Sequence, residues 1–221
     1  MRDRLAAAGD GPLRVVHRGR DAVYLEVDGW CVGVVSGAAA QVPCALRVVS
    51  LAGLPGDRAE LAGGVLHLDG VSLPIGRIVS TRVPSMPPAP RLPQARHATG
   101  RVTEETVARL LGSGDGLTPY GDDVLCGWLA LHRAAAVATP EVDDAVRARL
   151  HRTTLLSATL LDCAMHGEVL PEFAAWVRSL DTPRQPAAEE ALAAIGHTSG
   201  RGLLAGGRQA LGELSSVVTA A

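Results

Sequence analysis

The sequence contains no lysine; all 21 of its basic residues are arginine. That absence excludes a Schiff-base lysine, and with it covalently anchored pyridoxal phosphate, and it excludes a phosphate-binding loop of the P-loop type. Aromatic residues are also scarce, at 3% with Phe173 the sole phenylalanine, so a core must be assembled from closely packed Ala, Val and Leu. No CxxC pair occurs among Cys31, Cys44, Cys126 and Cys163, which argues against a zinc knuckle or disulfide framework and for buried free thiols. With a formal charge of −2 and no basic cluster, the field that draws proteins to nucleic acid or anionic lipid is missing. The N-terminus has no apolar signal region, and the longest greasy stretch, 124–138, is interrupted by His132 and Arg133. A cytoplasmic protein, with neither membrane nor nucleic acid as partner, is expected.

What is present divides in two. From residue 13 to 80, short β-branched runs (13–18, 22–27, 31–36, 45–51, 64–68 and 75–80) alternate with turn signals at Asp28-Gly29, Pro55-Gly56-Asp57 and Asp69-Gly70. Asp69-Gly70 resembles a tight hairpin turn. The pattern predicts an antiparallel β barrel or sandwich over residues 1–83. Five prolines between residues 84 and 93 mark an extended connector over 84–98. Beyond it the period lengthens to that of helices, predicted at 103–111, 122–138, 141–150, 154–165, 170–180, 187–195 and 200–211. The fold class is therefore α+β, with an all-helical domain over 99–221.

Residues 112–123 read Gly-Ser-Gly-Asp-Gly-Leu-Thr-Pro-Tyr-Gly-Asp-Asp and feed an apolar helix. Glycines at 112, 114, 116 and 121 allow positive φ and close approach to a ligand, and free amides at a helix start attract anions. A plain reading makes Asp122 or Asp123 an N-cap. Two adjacent acids exceed that need, because neighbours on a helix point about 100° apart and cannot both cap the same amides. They would also repel a bound phosphate. Either a divalent ion such as Mg²⁺ sits between carboxylate and ligand, making Asp122 and Asp123 metal ligands, or a carboxylate accepts from an amide or carbamoyl NH₂. The spacing Gly116-x4-Gly121 imitates a P-loop, but Asp122 and Asp123 stand where Lys and Ser/Thr belong.

Two more polar clusters interrupt the apolar pattern. Gly196-His197-Thr198-Ser199-Gly200 forms a second loop-to-helix junction, with Ser199 as a cap and His197 as a turn residue in the plain reading, and both facing substrate in the functional one. Thr153, Thr154 and Ser157 place three hydroxyls at the start of another helix, Thr153 or Thr154 being its cap. Arg101 and Arg152 lie near these clusters and could clamp an anion, solvated surface arginines being the plain and preferred reading. The remaining histidines show no ligand spacing and are assigned to structure or surface.

Taken together, GLTPYGDD at 116–123, Thr153-Thr154 with Ser157, and GHTSG at 196–200 followed by Leu204 and Gly206 resemble the AllH-like family, which includes a subunit of oxamate carbamoyltransferase. Tyr120 departs from the pattern, standing where the family more often has a small residue. The resemblance implies carbamoyl-group transfer in ureide breakdown, oxalurate plus phosphate giving oxamate and carbamoyl phosphate, in a complex with other subunits. On this view Gly116, Leu117, Thr118, Pro119 and Gly121 hold a small anionic metabolite (carbamoyl phosphate, oxamate or a ureide). Asp122 or Asp123 accepts from the carbamoyl NH₂ or holds a metal. His197 and Ser199 orient the second substrate, with Thr154, Ser157 and Gly200 beside them. No covalent cofactor is implied, and transfer rests on positioning and charge stabilisation.

Two other classes compete. A non-catalytic metabolite-binding subunit would carry the same residues without turnover. A stand-alone amidohydrolase would use Ser199 as nucleophile and His197 as base, but the chain has no GxSxG elbow and no assignable orienting carboxylate.

Overall fold

The computed structural model describes residues 1–86 and 101–219 and confirms the α+β class: a curled, half-barrel sheet of seven strands followed by an all-helical region. The chain separates into two compact units, residues 1–80 and 81–221. Most of the expected connector, 87–98, lies outside the described residues, while Val83 just before it and Met86 within it join the second unit, Val83 N–H to Gly167 O (2.7 Å) and Met86 N–H to Ala134 O (2.8 Å). Among the described residues no helix is long and apolar enough to cross a membrane.

The first unit opens with a short helix α1 (Arg2–Ala7), followed by β1 (Gly11–Arg18), β2 (Ala22–Val27), β3 (Trp30–Val35), β4 (Ala45–Arg47), β5 (Ala59–Ala62), β6 (Val65–Leu68) and β7 (Val71–Leu73). The sheet order is β4-β3-β2-β1-β5-β6-β7. Three hairpins turn on residue pairs that both hold positive φ: Asp28-Gly29, Gly63-Gly64 and the expected Asp69-Gly70. At β3, Gly33 leaves the space that the ring of its cross-strand partner Tyr24 covers.

Three strand expectations change. The sheet is not wholly antiparallel: β4 runs parallel to β3, with Gly33 opposite Ala45. The run at 75–80 forms no strand, because its apolar residues Ile75, Ile78 and Val79 do not alternate and Arg77 breaks the period of two; Ile78 and Val79 are exposed. Strand β5 was not anticipated, since Ala-Glu-Leu-Ala has little β propensity; it pairs because Ala59 and Leu61 alternate inward with Glu60 outward.

The second unit comprises α2 (Glu104–Leu110), α3 (Tyr120–Ala134), α4 (Pro140–Arg147), a 3₁₀ turn (Leu150–Arg152), α5 (Leu155–Met165), α6 (Pro171–Ser179), α7 (Gln185–Ala193) and α8 (Ser199–Thr219). Helix α3 stops four residues before its expected end. Ala136 takes a left-handed conformation (φ 55°), letting its own N–H reach Arg133 O and that of Val137 reach His132 O. The guanidinium of Arg133 braces this stop, donating to Met165 O and Val137 O, to Thr139 Oγ1, and to both carboxylate oxygens of Asp143 at 2.7 and 2.6 Å.

At the centre α3 lies against α8 with almost nothing between the two backbones. A Cβ on Gly127 would stand 2.0 Å from Leu203 O, and one on Gly206 would stand 1.8 Å from Val124 O. On the far side of α8, Gly207 leaves room for the Trp176 ring, which meets Phe173 edge-on at a centroid distance of 5.2 Å. A chain poor in rings thus fills its core by bringing helices together.

Replacing Gly127 with Ala therefore forces backbone away from backbone. We expect a loss of about 3 kcal/mol or more, at the severe end of overpacking, seen as a lower midpoint in urea unfolding followed by tryptophan fluorescence. Gly9→Ala, where a methyl meets open space, serves as the control and leaves the midpoint unchanged.

Candidate functional site

Helix α3 begins at Tyr120, two residues earlier than the sequence pattern suggests, and Pro119 precedes it without a side-chain cap. Asp122 and Asp123 consequently stand inside the first turn instead of capping it. The nearby amides are also in use: Gly121 N–H donates to Ser113 O (2.9 Å), and those of Asp122 and Asp123 donate to Pro119 O (3.0 and 3.2 Å). The expected free helix-end donors at 121–123 are thus committed within the protein. In the loop before them, Gly116 holds φ 90° with open space where a side chain would be.

The two acids have different surroundings. Asp122 is fully buried. Its Oδ1 accepts from Gly112 N–H (2.7 Å), and its Oδ2 accepts from the hydroxyls of Thr153 and Ser157, the latter at 2.6 Å. This carboxylate ties the loop and the start of α5 to α3. Asp123 is only 4% exposed, and its Oδ2 is buried without a hydrogen-bond partner. Burial pushes its pKa up to about 7; a hydrogen bond from Ser199 pulls against that rise, and the charge of Asp122 adds to it.

The three sequence clusters converge here. Thr154 caps α5, accepting from Ser157 N–H (3.1 Å), and its own hydroxyl donates to Leu117 O. The hydroxyls of Thr118 and Ser199 share a hydrogen bond of 2.9 Å, joining GLTPYGDD to GHTSG. Thr118 and Ser199, both half-buried, meet beside the buried Asp123, while Asp122 is bound to Thr153 and Ser157.

Other expected members have different places. His197 is exposed, and its recorded hydrogen bond is made by its backbone carbonyl, which accepts from Arg201 at 2.7 Å. The Ser199 hydroxyl pairs with Thr118, and among the hydrogen bonds of the described residues none joins it to the His197 ring. Gly121 and Gly200 serve packing, since a Cβ would stand 2.1 Å from Leu110 O at one and 1.8 Å from Leu192 O at the other. Arg152 is engaged with Ala108 O (2.9 Å), and Arg101 stands exposed.

The donor set does not fit a Mg²⁺ ion bridging Asp122 and Asp123. Three protein donors already satisfy Asp122, which leaves it no free lone pair directed at Asp123 for a shared ion.

Pattern reading overlooked Gly202, one turn into α8. A Cβ there would stand 2.7 Å from Asp123 Cβ and 3.1 Å from Tyr120 O, so glycine is required for α3 to seat its acid against α8. The spacing of glycines at 202 and 206 carried that information as a close helix contact.

Removing the buried tie should be costly: Asp122→Ala strands one amide and two hydroxyls, and we expect about 3 kcal/mol of lost stability by urea denaturation. Asp123 should act through pH. Its folded pKa of about 7 lies above the ordinary 3.8, so its contribution to stability is complete below the unfolded pKa and disappears as pH rises through about 7. Asp123→Asn should therefore raise the melting temperature above that of the parent at about pH 8 and match it at about pH 4, which a pH series of melting curves would check.

The chain matches no curated protein and no solved structure. The convergence of the three clusters in one helical unit has a counterpart in the family comparison. Residues 110–211, which hold Thr118, Asp122, Asp123 and Ser199 with their hydrogen-bond partners, match the model of a family described as oxamate carbamoyltransferase subunit AllH.

Proposed function

We propose that this chain is the AllH-like component of a carbamoyl-transferring complex that acts on oxalurate or a related ureide, the forward reaction being oxalurate plus phosphate to oxamate and carbamoyl phosphate. The observation that carries the reading is the buried Asp123 oxygen without a partner, next to the Thr118–Ser199 hydroxyl pair. A buried polar atom left unpaired is costly and marks a place for a ligand atom.

A carboxyl with its pKa near 7 is partly neutral at physiological pH. In that form its O–H donates to a carbamoyl C=O while its own C=O accepts from the carbamoyl NH₂, a two-point match to the transferred group. A neutral acid also removes the repulsion between Asp123 and an anionic substrate. In the reaction a phosphate oxygen attacks the carbamoyl carbon, the bond to the oxamate nitrogen breaks, and the proton from hydrogen phosphate ends on that nitrogen. Asp123 stabilises the negative charge that develops on the carbamoyl oxygen. The loop 116–119, with its open side at Gly116, faces the anionic end, and Ser199 and Thr118 align the ureide.

A second reading, a metabolite-binding subunit without turnover of its own, draws on the same family description, which names a subunit. Assays with candidate partner subunits separate the two: turnover of the reconstituted complex that is lost in Asp123→Ala supports the first, and ligand-dependent thermal stabilisation of the chain with turnover of the complex insensitive to that change supports the second.

Binding measured by calorimetry tests the role of Asp123. Asp123→Ala should weaken oxalurate binding about tenfold or more, the loss of a buried two-point hydrogen-bonded pair. Parent affinity should fall as pH rises through about 7, whereas Asp123→Asn, which stays neutral and keeps a donor and an acceptor, should bind with little pH dependence. Equal pH profiles for the parent and Asp123→Asn would refute the assignment.

A further inference from the structure

Tyr120 is the one large apolar side chain at the site that remains substantially open, 43% exposed at the start of α3. It stands three residues before Asp123, and on a helix that spacing puts both on one face. Gly202 of α8 meets both: a Cβ there would lie 2.7 Å from Asp123 Cβ and 3.4 Å from Tyr120 Cδ2. Ser199, one turn earlier on α8, carries the hydroxyl bonded to Thr118. The half-open ring, the buried carboxyl and the hydroxyl pair thus all meet the first turn of α8, the first two packing directly on Gly202.

From this arrangement we infer that Tyr120 is a specificity-determining wall: its ring stacks on a ligand held by Asp123 and selects ureides that are flat along their whole length. The inference rests on the reading of Asp123 as the carbamoyl-binding residue. A carboxyl recognises the terminal carbamoyl group whether or not the rest of the molecule is flat. The ring supplies what the carboxyl lacks, a face whose contact area is greatest for a conjugated, planar ligand. Oxalurate, in which carbonyl groups flank the bridging nitrogen, is such a ligand. N-carbamoylglycine has the same carbamoyl and carboxylate groups, but a tetrahedral carbon lifts the carboxylate out of plane. A small residue at position 120 would leave the two indistinguishable by stacking.

The test is the ratio of dissociation constants for N-carbamoylglycine and oxalurate, measured by calorimetry on the full chain and three variants. The parent should prefer oxalurate; Tyr120→Phe should keep that preference; Tyr120→Ala should reduce it about fivefold, the scale of one aromatic stacking contact. Tyr120→Leu restores bulk without a π face and should behave as Ala does, which separates stacking from simple filling of space. A ratio unchanged in Tyr120→Ala, or a parent without preference, overturns the wall while leaving the carbamoyl site standing. If the parent binds neither compound, the Asp123 reading fails and takes the wall with it.

Discussion

The second unit depends on the contact of α3 with α8 through glycine. Gly127 and Gly206 place each helix against the other's carbonyl oxygens, and Gly202 extends the same close seam to the end where α3 begins. Ala, Val and Leu cannot achieve that approach, because any Cβ at these positions would overlap backbone. The seam sets the height of Asp123 relative to Ser199, and hence whether carboxyl and hydroxyl meet. The site is less a loop that happens to lie near a helix than the open end of a helix pair held together along its length.

That seam also explains why two identical neighbours have separate tasks. On a helix the side chains of Asp122 and Asp123 diverge. One points back to the loop and α5, where Gly112, Thr153 and Ser157 supply three donors; the other points to α8, where Ser199 is the hydroxyl beside it. The first carboxylate spreads its charge over three hydrogen bonds. The second lies next to that charge in a buried place, and both effects raise its pKa. The residue that ties the loop and α5 to α3 therefore also helps to raise the pKa of the acid beside it.

Much of this was readable from residue patterns, and the limits have physical causes. Hairpin turns at Asp28-Gly29 and Asp69-Gly70 were visible because left-handed backbone demands particular residues. Helices were visible because Ala and Leu recur with the right period. The parallel placement of β4 was not, since pairing partners distant in sequence leave no local trace. In the site, GLTPYGDD, Thr154 with Ser157 and Ser199 were singled out as polar interruptions of apolar helices, and the structure joins them. Which acid faces inward could not be read, because that depends on where α3 begins: a start at Tyr120 instead of Asp122 rotates both carboxylates into the first turn. His197 was singled out on the strength of its flanking glycines, yet one of them, Gly200, is needed for contact with Leu192 and leaves the imidazole exposed.

A shared constraint links the absence of lysine to the acid chemistry. Anion sites commonly offset ligand charge with an ammonium group, and here none exists; of the arginines nearest the site, Arg152 is committed to Ala108 O and Arg201 to His197 O. On the proposed reading, an anionic ligand is tolerated beside Asp123 only if that residue adds no negative charge. A carboxyl that stays partly protonated satisfies the condition, and it does so because burial against α8 and the neighbouring charge of Asp122 hold its pKa up against the opposing pull of Ser199. Any relaxation of α8 away from α3 would let water reach Asp123, lower its pKa and turn a hydrogen-bond donor into a repelling charge. Packing far along the helix pair and chemistry at its open end are in this sense the same variable.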